Sequence, residues 1–221
     1  MQRHIDTQIQ ALRQEFITMG LEVKASLEKA INSLKEDDKQ AAKEVIEHDE
    51  VINNHETHLE KKTAQIIALQ SPVAGDLREI ISILKASSDL ERLADHAVSI
   101  AKNVLLLKEE RRDDEIDMMI VKMGDNVLAM LASILKAYTE MDEKSAIKIA
   151  EMDAGNDGIF LDIRERAMGL VKTNPKFAGE GFDYLQIANH LERSGDYITN
   201  IAEWIVYTKK GKITELGRND F

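Results

Sequence analysis

Ser87–Ala101 reads SSDLERLADHAVSIA, and Ile187–Ala202 reads IANHLERSGDYITNIA. Both contain Leu-Glu-Arg with an Asp four residues after the Glu: Glu91 with Asp95, and Glu192 with Asp196. Apolar residues recur around them every three or four positions, the spacing of one helix face. Each stretch is therefore a helix, and the chain holds it twice.

Working outward, each copy is the third of three apolar stripes. Ile5, Ile9, Leu12, Phe16, Met19, Val23, Leu27, Ala30 and Leu34 make the first. Glu36-Asp37-Asp38 interrupts it with residues suited to cap a helix start. The second runs Val45, Asp49, Ile52, Glu56, Leu59, Thr63 and Ile66, and ends at Ser71-Pro72, because the residue before proline disfavours helix. The third runs Leu77, Leu84, Glu91, Val98 and Leu105. The scheme then restarts: Ile116 to Ala137 mirrors the first stripe, and Asp142-Glu143 mirrors Asp37-Asp38. Ala146 to Leu170 forms one fifth helix, Asn174-Pro175 mirrors Ser71-Pro72, and Leu185 to Ile205 forms the sixth. Asp49 and Asp153 lie 104 positions apart, Glu91 and Glu192 101. This is an internal duplication. It predicts an all-α fold of two tandem, similar three-helix bundles, residues 1–110 and 111–221, with antiparallel neighbours joined by short loops.

Composition agrees. Of 221 residues, 43% are hydrophobic and 31% charged, with only 11 Gly and 2 Pro to break helices. The absence of cysteine excludes disulfides, thiolate zinc, iron–sulfur clusters and Cys nucleophiles. A net charge of −11 disfavours nucleic acid and suits cations or a basic partner. No stretch has the ~18 uninterrupted apolar residues of a spanning helix, and Met1–Asp6 carries no signal-peptide pattern. A soluble cytoplasmic protein is expected.

Asp49, Glu91, Asp153 and Glu192 occupy stripe positions, and four residues on, one turn above on the same face, stand Asn53, Asp95, Asp157 and Asp196. A carboxylate in a helix seam must be paired, protonated or bound to a cation. Arg92 and Arg193 follow the glutamates directly, so they point about a quarter-turn away, toward a neighbouring helix or solvent. The oxygens form a hard donor set suited to Mg²⁺, Mn²⁺, Ca²⁺ or iron, and acceptable to zinc. From spacing alone, metal binding and a buried ion-pair network stand level. Di-iron oxidase chemistry fails, because the Glu-x-x-His offset holds Ala94 and Gly195. His96 and His190 are expected as surface or flanking residues, and His48, His55 and His58 as solvated ones. Met118, Met119, Met123 and Met130 are expected in the core. Lys209–Lys212 is expected as a solvated helix end.

The duplicated LER-x-x-D segments, with SPVAGDLREI at Ser71–Ile80, resemble the PhoU family of phosphate-transport regulators over essentially the whole chain. The resemblance implies two similar three-helix bundles and no enzymatic activity. It implies metal ions, possibly multinuclear iron, zinc, Mn²⁺ or Mg²⁺, on Asp49, Asn53, Glu91, Asp95, Asp153, Asp157, Glu192 and Asp196. It also implies negative regulation of the high-affinity phosphate ABC transporter. The expected partners are the transporter's ATPase subunit, the sensor histidine kinase of the phosphate regulon and a second copy of the chain. Membrane contact would be indirect. A metal-dependent hydrolase and a metal-free helical scaffold are the competing expectations.

Overall fold

A computed structural model of the chain describes residues 4–217, and among these there is no β-strand. The first half is α1 (His4–Lys35), α2 (Lys39–Gln70) and α3 (Ala74–Leu106). A 3₁₀ turn, Glu109–Arg111, leads to α4 (Asp114–Glu140), α5 (Glu143–Glu151), α6 (Ala154–Thr173), a second 3₁₀ turn (Pro175–Phe177) and α7 (Ala178–Lys210).

Helix ends fall where the polar punctuation puts them. Asp38 caps α2 by accepting from the Gln40 and Ala41 amides, and Asp142 caps α5 through Lys144 and Ser145. The residues before these caps, Asp37 and Met141, are 104 positions apart and both left-handed, so the two turns are built alike. α2 stops before Ser71-Pro72 and α6 before Asn174-Pro175.

The expected single fifth helix is two. At Met152-Asp153 the ladder tightens: the Met152 amide bonds Ile149 O and the Asp153 amide bonds Ala150 O. Asp153, Gly155, Asn156, Asp157 and Gly158 are poor helix formers crowded into six positions, and their propensities outweigh the apolar spacing. In the first half α2 runs unbroken through Asp49.

The halves share one continuous core. α1 packs antiparallel on α4 by a reciprocal fit. Leu135 of α4 lies over Gly20, where a Cβ would stand 2.3 Å from its Cδ2; Ile31 of α1 lies over Gly124, where a Cβ would stand 2.6 Å from Cδ1. Each glycine and each aliphatic residue is 104 positions from its counterpart, so the join follows the duplication. α3 and α7 cross the same junction antiparallel, with Ser82 bonded to Thr208 at 2.7 Å and Asp89 to Trp204 Nε1 at 2.9 Å. These four helices are inner. α2, α5 and α6 lie outside, with a narrow buried stripe each: Val45, Ile52, Leu59 and Ile66 on α2, Ala146 and Ile149 on α5, Ile163 and Ala167 on α6.

α4 is, among the described helices, long and apolar enough on average to cross a membrane, with mean hydropathy 1.5 over its best window. Its Ile116, Ile120, Met123, Val127, Met130 and Ile134 are buried in the core instead. Met118, expected in the core, is 64% exposed.

Candidate metal centre

The acidic residues line two seams where an outer helix meets an inner one. Their depth differs from the expectation of buried faces. Asp49, Asn53, Glu91, Asp153 and Glu192 are half-buried, and Asp95, Asp157 and Asp196 are exposed. The reason lies in α3 and α7. Each is packed on several sides, so its central buried line runs through Ile80, Ile83, Leu90, Ala94 and Ala97, or Leu191, Ile198, Ala202 and Ile205. The line through Glu91 or Glu192 is the flank of that face, open along one edge to water.

In the first seam, Asn53 Nδ2 donates to Asp49 Oδ2 at 3.1 Å. The other oxygens, Asp49 Oδ1 and Asn53 Oδ1, are buried and accept nothing. Across the seam the Glu91 carboxyl is pushed up to about 7, by burial first and then by Asp95, Glu56 and Asp49. Asp95 is raised by burial and by Asp49. Glu56 joins this group from α2, raised by burial and by Glu60, with a hydrogen bond to Ser88 opposing. Sequence reasoning placed Glu56 on the stripe and passed over it as a site residue. Its signal was present, because Glu60 stands four residues on.

In the second seam Asp153 sits at the α5–α6 break. Its carboxylate rests against the backbone of α7 in a recess that exists only because residue 195 is glycine: a Cβ there would stand 2.0 Å from Asp153 Oδ1. Asn156, fully buried, donates to the same oxygen at 3.2 Å and accepts from Asn126 at 3.3 Å. Burial first, then Asp196 and Asp157, push Asp153 up to about 6 against the Asn156 hydrogen bond. Glu192 is raised by burial and by Asp196, Asp157 and Asp153; Asp196, at the open edge of the seam, is raised by partial desolvation and by Asp157 against the opposing charge of Arg193. All eight expected residues thus fall into two groups of four, one per half, in which the carboxylates raise one another's proton affinity and Asn53 alone is neutral.

Among the described residues no three carboxylates or imidazoles converge at metal-coordination geometry. The donor set nevertheless fits a hard cation: carboxylate and amide oxygens from two helices, proton affinities raised by burial first and by neighbouring carboxylates second, orphaned oxygens in the first seam and a glycine recess in the second. An ion would draw side chains inward from where they stand.

The neighbouring residues divide between expectation and surprise. Arg92 and Arg193 turn away from the glutamates onto the Tyr197 ring, at 5.7 and 5.8 Å from its centroid. His96 and His190 flank the motifs half-buried rather than standing on the surface. They meet across the α3–α7 junction with Nδ1 atoms 3.0 Å apart, His96 stacked on Tyr197, and burial holds the imidazole of His96 down to about 4. His48 and His58 are solvated as expected, whereas His55 is half-buried and reaches Glu22 of α1 at 2.8 Å. Lys209–Lys212 is an exposed helix end, with Gly211 supplying the left-handed cap.

Comparison with known proteins places this architecture. A family profile described as the PhoU domain matches residues 16–104 and again 120–205. A phosphate-specific transport system accessory protein PhoU homolog of Streptococcus pneumoniae is 37% identical over 218 residues, covering 98% of this chain and all of the relative. A homolog of the same name from Clostridium acetobutylicum is 31% identical over 212 residues, covering 96% of both. Among solved structures, the phosphate transport system regulatory protein PhoU of S. pneumoniae superposes with TM-score 0.91 at 37% identity, covering 96% of this chain and all of that one. PhoU of Pseudomonas aeruginosa gives 0.90 at 28% identity, covering 95% and 100%.

Proposed function

The chain belongs to the PhoU family, and on that premise we propose that it is a cation-binding, non-enzymatic negative regulator of high-affinity phosphate uptake. Its relatives are accessory proteins of the phosphate-specific transport system, which supports association with that transporter. The observation that carries the cation reading is the pair of repelling carboxylate groups, one in each half, at matching seams. A bound hard cation supplies positive charge among the carboxylates of each seam, beyond what Arg193 gives Asp196. The chain's own residues do the rest: Asp49 and Asn53 tie α2 to Glu91 and Asp95 of α3, and Asp153 and Asp157 tie the α5–α6 segment to Glu192 and Asp196 of α7. Neutralising each seam fixes the outer helices on the inner four and sets the surface offered to a partner. The partner is the ATPase subunit of the phosphate ABC transporter on its cytoplasmic side, with the sensor histidine kinase of the phosphate regulon as a second client. A net charge of −11 suits a basic docking surface.

The test is capture of the ATPase subunit by the tagged full chain, with Mn²⁺ or with chelator, alongside phosphate uptake in cells lacking the gene. We expect cation-dependent capture and derepressed uptake at high phosphate. No capture under either condition together with unchanged uptake overturns the regulator reading. Equal capture with and without cation removes the cation from it.

A further inference from the structure

After α7 the chain does not leave the bundle. It turns at Gly211, left-handed at φ 71°, and doubles back along α7. The Leu216 amide donates to Glu203 Oε1 at 2.8 Å, and the Leu216 side chain packs on the core. Gly217 reaches the end of α5, where a Cβ would stand 3.4 Å from Ala150 O and 3.4 Å from Thr199 Cγ2. The tail therefore bridges α7 and α5 beside the second seam.

Between the tail and α7 lies a cavity of about 410 Å³. Asp153 and Asp196 of the second group open into it, with Thr199 and Glu203 from α7 and Glu215 from the tail, and Arg193 lines the same wall with its Nε 3.7 Å from Asp196 Oδ2. Thr199 is only 7% exposed, and its hydroxyl is buried without a hydrogen-bond partner. A lone buried hydroxyl is costly unless something accepts or supplies a contact. The first half has no equivalent. The matching position on α3 is Val98, and the chain beyond α3 runs on into α4.

We propose that residues 211–217 are a strap that closes the second carboxylate group over a hard cation, with the Thr199 hydroxyl and the Glu215 carboxylate as additional oxygen donors. The inference rests on the cation reading above. It makes the two seams unequal: the first exchanges its ion freely with solvent, and the second retains its ion until the strap lifts. Leu216 and the Glu203 clip hold the strap down, so they govern release without touching the ion.

The test follows Tb³⁺ transfer from the full-length protein to dipicolinate, whose terbium complex luminesces. The first seam is silenced with Glu91→Gln and Asp95→Asn. In that background Leu216→Ser and, separately, Glu215→Gln are expected to speed release about 10- to 100-fold, the usual cost of losing a supporting or ligating group, with helical circular dichroism unchanged. In the reciprocal background, Asp153→Asn with Asp196→Asn, the same two substitutions leave release unchanged. Trypsin gives an independent readout, because cleavage after Lys212 of the unaltered chain is expected to slow when Mn²⁺ is bound. Release from the second seam that neither Leu216→Ser nor Glu215→Gln alters overturns the strap while leaving the cation reading intact. Failure of the unaltered chain to take up Tb³⁺ or Mn²⁺ at all overturns the cation reading, and the strap with it.

Discussion

Stripped of cations, the protein is expected to lose stability as pH rises from about 4 to about 7 and to regain it when Mn²⁺ is added. Glu91 has an ordinary value of 4.5 and stands at about 7 in the folded chain; Asp153 moves from 3.8 to about 6. Below the ordinary values both groups are protonated in folded and unfolded chains alike, and the seams carry no penalty. Between the two values the folded protein holds protons that the unfolded chain releases, so each step up in pH favours unfolding. Above about 7 the penalty is complete. A tenfold change in proton affinity corresponds to about 1.4 kcal/mol, but both side chains are partly open to water, and screening leaves a penalty of about 1–2 kcal/mol per seam. Urea unfolding in chelator across this range measures it. Glu91→Gln with Asp153→Asn should flatten the profile, raise stability above pH 7 and abolish the Mn²⁺ effect. A chelated parent protein whose stability holds constant or climbs through this window would show that the seams carry no uncompensated charge.

The second large effect is expected at the join between the halves. Gly20→Leu with Gly124→Leu should destabilise the bundle by about 2–4 kcal/mol. Each added side chain must displace Leu135 or Ile31 from a filled core, and overpacking of this kind costs about 1–3 kcal/mol. Loss of glycine from a helix interior returns somewhat less than about 1 kcal/mol at each site. Ile31, which covers Gly124, is eleven residues along α1 from Gly20, about 16 Å at the rise of an α-helix, so the two costs add. Alanine at position 20 presses chiefly on the Cδ2 methyl of Leu135, whereas alanine at position 124 also meets Cγ1 and Cγ2 of Ile31 at 2.9 and 3.0 Å, so Gly124→Ala is expected to cost more than Gly20→Ala. The leucine pair unfolding at the parent's urea midpoint would mean that the reciprocal glycine fit does not hold the halves together.

Much of the fold was legible because its signals are local. Asp38, Asp142, Pro72 and Pro175 mark helix ends by the chemistry of their own backbones, and the repeated Leu-Glu-Arg exposes the duplication. The α5–α6 break was hidden because Asp153, Asn156 and Phe160 keep helical spacing, and periodicity registers position rather than the low propensity of Gly155 and Gly158. The eight candidate oxygen donors were found by their spacing, but not their depth. Periodicity treats a helix as having one buried face, and α3 and α7 are packed on several, which moves Glu91 and Glu192 to a flank. The His96–His190 contact and the glycine fit depend on how the halves dock, and no single stripe encodes that. Gly195 stands on its stripe as any small residue would. Only the Asp153 carboxylate lying over it shows why a side chain is excluded there.

The cation proposed at each seam is open to direct observation. The most direct measurement is anomalous scattering, backed by elemental analysis, on crystals of the full chain purified without chelator. A peak is expected among Asp49, Glu91 and Asp95 and another among Asp153, Glu192 and Asp196, with the second surviving a brief chelator wash that empties the first. Crystals that show no peak at either seam, even after soaking in Mn²⁺, would contradict the cation proposal.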